Sequence, residues 1–481
     1  MIKLFYKKRL PEAMVSAVVY TISTIFTRGL AIITVPIFTR IMSSDQIGIV
    51  NLYNSWYAML SVVTTLSLTS GGFAIAMKEY ANSRDEYQSS ILTLTSLVSL
   101  CLFLIYYFKQ SFWQRITGLS HNLLLMMFIT FLFAPAYDFW LARQRFEYKY
   151  KLSGFVSILS ALLTSIASVV IVLKFQHYKY LGELRILTNY TVSVCFCFVI
   201  WLIIFFRGKV FYNKEYWINS LTLSIPLVGY SIAGQVLNVS DRLLISKLVN
   251  NSAVGIYSIL YTVSSLSLLV WQAINASFIP YLFQNIGVNN RAIKQISTYL
   301  MILFSLVAIL MTYFAPEIIK VLATSEYYQS IYIMPPIAAG VYFTTLSNIY
   351  SNLAIYYKNT KYVMYPAIIA SIVNIIGNYI LIQLFGYVAA AYTTMVSYII
   401  LAYLQYYWSK KLIIKNNKHI TQIYDDSYLL KISIATATVI LFGIVVYKNT
   451  LARYCLIIIF SAVILVISKK IYEQYDLKIK K

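Results

Sequence analysis

Apolar runs of about 17 to 25 residues, the length that crosses a hydrocarbon core as a helix, recur from one end of the chain to the other. Nothing else in the sequence restricts the fold as strongly, because a backbone in lipid must satisfy its own hydrogen bonds and a helix does so within one segment. The runs lie near residues 14–38, 46–74, 88–108, 122–142, 153–174, 182–206, 217–241, 253–281, 295–315, 328–355, 362–383, 386–408, 429–447 and 452–468. Ser, Thr, Asn and Gly interrupt the second and the tenth. Hydrophobic residues fill 60% of the 481 positions and charged residues 11%, where a soluble domain carries about 25% charged residues. A water-soluble fold of this size could not hide so much apolar surface. The expected fold is an all-α polytopic membrane protein with about fourteen transmembrane helices.

The net charge of +23 would suggest nucleic acid in a soluble chain. Here the basic residues sit in short loops, and their alternation is topological. With a cytoplasmic start, about 27 of the 39 fall in cytoplasmic loops: Lys3 to Arg9, Lys78 and Arg84, Arg143 to Lys151, Arg207 to Lys214, Arg291 and Lys294, Lys358 and Lys361, Lys410 to Lys431, and Lys469 to Lys481. About 9 fall on the other side, and Arg28, Arg185 and Arg242 lie within spans or at their ends. That three-to-one bias matches the positive-inside rule and places both termini in the cytoplasm. The expected location is a bacterial inner membrane. Lys3, Lys7, Lys8 and Arg9 precede an apolar run too long for a cleavable signal, so they read as an anchor for the first helix. Cys101, Cys195, Cys197 and Cys455 lie in apolar segments with no metal-ligand spacing, so no cofactor or metal is expected.

Internal repetition gives the expected organisation. TRIMSSDQIGIVNLY from Thr39 aligns without gaps on SKLVNNSAVGIYSIL from Ser246, setting Gly48 on Gly255 and Arg40 on Lys247. LGELRILT at Leu181 matches FGYVAAAYTT at Phe385 more weakly, with Gly182 on Gly386. Offsets of about 207 and 204 residues span six helices, so the repeats share one orientation. Two six-helix lobes, residues 1–213 and 214–412, are expected around a central cavity. Two further helices and a basic tail occupy 413–481.

Histidines 121, 177 and 419 are scattered, and no nucleotide-binding or hydrolase motif occurs, so the chain does not read as an enzyme. The informative residues are charges within apolar runs, where a buried cation must face protein or water. Arg28, midway along the first span, is the foremost candidate for an anion, because a guanidinium forks onto phosphate oxygens. Its alternative is a bond to a helix carbonyl or a carboxylate. Asp241 and Arg242 end the seventh span; as sequence neighbours on a helix they are expected to reach different partners, for gating or for substrate. Asp138, beside Phe139 and Trp140, suits a coupling proton or cation, or else an intrahelical pair with Arg143. Glu183 and Arg185 open the sixth span as gating or rim charges. Asn374 and Asn378, one turn apart, would bind sugar hydroxyls or join helices. The 44 tyrosines and 27 phenylalanines supply interfacial belts.

Four stretches then carry a resemblance. SIPLVGYSIAGQVLNVSDRLLISKLVNNSAVGIYSILYTV from Ser224 is similar to the seventh and eighth helices of bacterial polysaccharide (O-antigen repeat-unit) flippases, within the multidrug/oligosaccharidyl-lipid/polysaccharide exporter superfamily. PIFTRIMSSDQIGIVNLY at Pro36, KNTKYVMYPAIIASIVNIIGN at Lys358 and LFGYVAAAYTTMVSY at Leu384 resemble that family's patterns in the same order. The resemblance implies a MATE-like fold and alternating access. It implies a substrate too, an undecaprenyl-pyrophosphate-linked oligosaccharide moved from the cytoplasmic to the periplasmic leaflet for O-antigen or capsular polysaccharide synthesis. Coupling to H+ or Na+, and a polysaccharide polymerase and chain-length regulator as partners, would accompany that role. Two departures stand out. Gln235, set opposite Arg28 by the 207-residue offset, is neutral, and the Gly-Ala-Ala pattern reads Gly386-Tyr387-Val388-Ala389-Ala390. A drug/cation antiporter or a peptidoglycan-precursor flippase of the same superfamily is the nearest alternative. A membrane glycosyltransferase or polymerase would be a different class, and would want clustered acids that this chain lacks.

Overall fold

The computed structural model describes residues 12–70, 72–416 and 422–463, all of it helices and short links. The basic segments Lys3 to Arg9 and Lys469 to Lys481 lie outside the described residues. The chain divides into two compact units, Met1–Gln235 and Val236–Lys481.

The first unit contains α1 (Glu12–Ile41), α2 (Ser44–Thr65), a 3-10 turn (Leu68–Ser70), α3 (Gly72–Glu79), α4 (Arg84–Phe108), α5 (Gln110–Thr117), α6 (His121–Phe146), α7 (Tyr150–Lys174) and α8 (Leu181–Gly208), with the first part of α9 (Lys214–Leu248). The second has the rest of α9, then α10 (Asn251–Ser264), α11 (Ser267–Asn285), α12 (Asn290–Tyr313), α13 (Ala315–Leu322), a 3-10 stretch (Ser325–Ile333), α14 (Met334–Tyr356), α15 (Lys361–Phe385), α16 (Ala389–Asn416), α17 (Asp426–Val446) and α18 (Thr450–Val463). Eight of the described helices are long and apolar enough to cross a membrane, ten if each of two bent pairs is one span. The windows of α7 and α8 are 11% and 17% buried, and they expose Phe155, Ile166, Val199 and Phe206. Apolar helices this bare are solvated by lipid, and the protein is a multi-pass membrane protein.

The repeat is visible as matched helix ends. α1 ends at Ile41 and α9 at Leu248, the same 207-residue offset that joins the starts of α2 and α10. Ser43 and Asn250, equivalent in that alignment, both cap the next helix: Ser43 Oγ accepts from the Gln46 N–H and Asn250 Oδ1 from the Ala253 N–H. Each satisfies an orphan donor of the first turn. Gly48 and Gly255 are both buried one turn further on. The weaker match is corrected. Gly182 lies in the first turn of α8, where a Cβ would come 2.7 Å from the Gln46 carbonyl oxygen, whereas Gly386 ends α15 with φ 71°. Close helix approach and a left-handed cap are different reasons for glycine, so the two are not equivalent.

Three expected spans change shape. The second is not continuous, for Leu66 and Ser67 both take φ 50° after α2 and divert the chain into the 3-10 turn and α3. The eighth bends by 44° between α10 and α11, where Ser264 Oγ donates to the Leu260 carbonyl and Ser265 Oγ to the Thr262 carbonyl. Serines bonded back to their own helix favour such bends. The tenth begins at Met334 rather than 328, because Pro335 and Pro336 are preorganised for a first helical turn and exclude α geometry before it.

In the first unit Phe73, Met77, Tyr87, Ile91 and Phe139 centre the core; in the second, Tyr342, Leu346, Ile349 and Leu353 of α14 meet Trp271, Phe304 and Ile440. α14 is buried along almost its whole length.

Candidate functional site

In the first unit the site is built on α6. Pro135 lies inside this helix and cannot donate to the Phe131 carbonyl four residues back. Ser99 Oγ of α4 donates to that oxygen instead, at 3.0 Å, so the helix continues through the membrane interior. Beyond the proline, Asp138, Leu141, Ala142 and Arg145 recur at helical spacing on one stripe. That stripe lines a cavity of about 510 Å3, closed on another side by Thr69, Phe73 and Ala74. Asp138 and Thr69 also line an adjoining cavity of about 350 Å3 bounded by Ser61, Thr64, Thr65, Ser231 and Gln235. Hydroxyls and an amide therefore surround the Asp138 carboxylate on one side, and the Arg145 guanidinium shares its cavity on the other. The Arg145 guanidinium also lies 5.5 Å from the centre of the Tyr20 ring of α1.

The intrahelical alternative for Asp138 is corrected by α4. Arg143 donates to Asp85 at 2.6 Å, to Glu147 at 2.9 Å and to the Gln88 amide oxygen at 3.0 Å. Five residues beyond Asp138, it leaves the helix on another face. Sequence reasoning counts Arg145 among the loop charges and misses it as a site residue; its seven-residue spacing from Asp138 is the signal that could find it.

Arg28 is exposed on α1, a helix that packs on α7, and it is not among the residues lining either cavity. Glu183 and Arg185 are half-buried in α8. They do not pair with each other: the Arg185 guanidinium stacks 3.4 Å from the centre of the Phe38 ring, a cation–π contact, while Glu183 has no ion pair among the described residues.

The second unit holds its polar groups in a closed knot. Ser240 Oγ of α9 donates to Asn374 Oδ1 at 2.5 Å, Asn378 Nδ2 donates to the same oxygen at 3.1 Å, and Thr393 Oγ1 of α16 donates to Asn378 Oδ1. Asn374 and Asn378 have no exposed surface, so in this conformation the pair joins helices and offers nothing to a sugar. Asp241 is 1% exposed, with Oδ2 lacking a hydrogen bond among the described residues and the Tyr257 side chain beside it. The expectation that Asp241 and Arg242 have separate partners is corrected. The Arg242 guanidinium comes within 3.6 Å of Asp241 Oδ1, donates to the Asn238 carbonyl at 2.5 Å and lies 4.4 Å from the centre of the Tyr261 ring. A long arginine folds back along its own helix where the low dielectric makes even an imperfect pair worthwhile. No cluster of three metal-ligating side chains occurs among the described residues.

These features define a multi-pass membrane protein of two repeated helical units, each with ionisable groups held inside apolar helices. The chain belongs to the family described as Polysaccharide biosynthesis protein, which matches residues 14–286. A second family, MatE, matches residues 226–380. No curated protein matches the sequence significantly. Among solved structures, the lipid II flippase MurJ in an inward closed conformation is similar at TM-score 0.70 and 17% identity, over 95% of this chain and 99% of that one. An inward-facing multidrug-resistance MATE family transporter of the MOP superfamily gives 0.58 at 10% identity, over 84% and 99%. A MOP superfamily transporter from Pyrococcus furiosus gives 0.54 at 12% identity, over 83% and 95%. At these identities the likeness establishes the fold alone, one shared with the MurJ and MATE structures.

Proposed function

We propose that this protein flips undecaprenyl-pyrophosphate-linked oligosaccharide repeat units from the cytoplasmic to the periplasmic leaflet of a bacterial inner membrane, by alternating access. The observation that carries the reading is the α6 stripe: Asp138 and Arg145 line one cavity, and Asp138 also faces the adjoining one bounded by hydroxyls and an amide. Hydroxyls and amides suit sugars. A permanently charged guanidinium suits a pyrophosphate, which it can engage through two hydrogen bonds. Membership of a polysaccharide biosynthesis family supports the same substrate class. In this reading fourteen spans cross the membrane, both termini are cytoplasmic, and residues 1–213 and 214–412 act as lobes, with 413–481 appended. Arg145 engages the pyrophosphate at the stripe, and Arg28, exposed on the first helix outside both cavities in this conformation, engages it in another state of the cycle; Asp138 or the buried Asp241 takes the coupling H+ or Na+. A polysaccharide polymerase and a chain-length regulator are its partners downstream.

The test is export of surface glycan in a strain lacking the native protein. Arg145→Ala and Arg28→Ala, expressed at normal level, are each expected to lower export roughly tenfold or more, since a charge-assisted hydrogen bond contributes about 1.5–3 kcal/mol. Lys at either position restores part of it. Full export by either Ala variant removes that arginine from the pyrophosphate site, and full export by both rejects the site. For coupling, dependence on the proton or sodium gradient that survives Asp138→Asn and Asp241→Asn alike rules out both carboxylates.

A further inference from the structure

A third cavity of the first unit, about 740 Å3, lies between α6, α7 and α8 and is separate from the Asp138 stripe. Trp140, Val156, Phe196, Val199 and Ile203 line its body, and Gln144, Lys149 and Arg207 line one end. The basic end is set by antiparallel packing, because α6 finishes, α7 begins and α8 finishes together there. From Phe196 to Arg207 the groove follows α8 for about 16 Å at 1.5 Å per residue. That equals about half of a hydrocarbon core roughly 30 Å thick, the depth of one leaflet.

The charges at this end do not cancel. Asp85 and Glu147 are both taken by Arg143, and Glu147 also accepts from Lys149 at 2.6 Å. Arg207 is exposed, and its side chain makes no ion pair or hydrogen bond among the described residues. Directly behind lies a small space lined by Gln88, Arg143, Lys149 and Arg207 together with Asp85 and Glu147, the two carboxylates that Arg143 and Lys149 already engage. Gln88 is 2% exposed; its Oε1 accepts from Arg143, while its Nε2 has no acceptor among the described residues. A buried amide donor without an acceptor costs about 1–3 kcal/mol unless something fills the role. Together these features describe an apolar slot one leaflet deep that ends in surplus positive charge and a waiting donor.

We propose that this groove is a binding site for an anionic glycerophospholipid of the leaflet on the basic side. One acyl chain lies along α8, and the phosphate sits at Arg207 and Lys149, with the Gln88 amide behind them. Chain length selects this occupant, since an acyl chain matches the groove and a long polyprenyl chain overruns it. Charge selects the headgroup, because a zwitterionic lipid brings its own cation to a site already in excess. The inference rests on the membrane-spanning fold and not on the transport reading.

Native mass spectrometry of the full chain in detergent tests it, with phosphatidylglycerol and phosphatidylcholine of identical acyl chains supplied in mixed micelles. Phosphatidylglycerol is expected to be retained at least about tenfold better. Arg207→Gln, at an exposed position, should remove most of that preference. Val199→Trp, which fills the groove from its lipid side, should cut retention of the bound lipid while leaving the melting temperature in lipid-free detergent unchanged. Should Val199→Trp fail to fold, Arg207→Gln decides alone. Equal retention of the two lipids overturns the proposal, and so does a preference untouched by Arg207→Gln. Stronger retention of undecaprenyl phosphate would replace the phospholipid with a polyprenyl carrier. Displacement of phosphatidylglycerol by millimolar inorganic phosphate would reduce the site to an anion pocket without a groove.

Discussion

The two units share matched helix ends and caps and use their polar residues in opposite ways. In the first, Asp138 and Arg145 line one open cavity, and Asp138 looks into a second among Ser, Thr and Gln side chains. In the second, Ser240, Asn374, Asn378 and Thr393 bond to one another, and Asp241 is closed in beside Arg242. The fourth helix of each half shows the contrast best. The 207-residue offset sets Asp138 of α6 against Thr345 of α14, which is buried with its neighbours Leu346 and Ser347. The same helix position meets a cavity in one unit and a packed core in the other. A polar group costs little where water reaches it and much where it does not.

Exchanging single polar groups probes that difference directly. Asp241→Asn removes one partner of a buried pair and should cost on the order of 3 kcal/mol, whereas Asp138→Asn, facing a cavity, should stay within about 0.5 kcal/mol. Thermal melting of the purified variants in one detergent measures both, and equal shifts would erase the contrast. Next in size, Asn378→Leu removes one donor to Asn374 and one acceptor of Thr393, leaving them the Ser240 hydroxyl and the Ala390 carbonyl, and should destabilise by about 1–3 kcal/mol. Thr69→Val, at the edge of both first-unit cavities, should move the melting point by no more than about 0.5 kcal/mol of stability. A larger loss at Thr69 than at Asn378 would invert the assignment of open and closed.

The caps probe what the units share. Ser43→Ala and Asn250→Ala should each cost about 1 kcal/mol and by similar amounts, because each removes the acceptor for one first-turn N–H. A clear loss in one and none in the other would mean that the repeat is confined to sequence.

The smallest effect is a response to acid. Burial works to raise the Glu147 pKa, but Lys149 and Arg143 outweigh it and hold the carboxyl below its usual value. In the second unit Lys294 similarly lowers Asp425, which is more exposed and more screened. A depressed folded-state pKa gives stability that is present above the unfolded value, about 4.3 for Glu, and is lost as pH falls through the folded one. Melting curves taken downward from pH 5 should therefore steepen in the wild type more than in Glu147→Gln. Asp425→Asn should leave the profile almost unchanged. A flatter profile in Asp425→Asn than in Glu147→Gln would reverse the ranking.

Much of the scaffold is legible in the sequence. Run length predicts helices, and each expected position holds one, though the second, eighth and tenth spans are broken or shortened by features of one or two residues such as Leu66, Ser264 and Pro335. The gapless match of Thr39 with Ser246 carries through to equivalent caps at Ser43 and Asn250. The site is legible only in part. Asp138 stands out because it is a carboxylate in an apolar run, while Arg145 stays hidden because a basic residue near a helix end is explained equally well by topology. Asn374 and Asn378 share a face as spacing requires, but spacing does not say that Ser240 and Thr393 occupy that face.

The sequence by itself determined that the chain is a bundle of apolar helices in lipid, with equivalent caps 207 residues apart at Ser43 and Asn250. These properties depend on local composition and on distances along the chain, which any fold of the sequence must respect. Only the tertiary structure decided which polar groups are wet and which are sealed. Burial is set by the neighbour that covers a helix face, and for Asp138, Asp241 and Gln88 those neighbours come from helices distant in sequence.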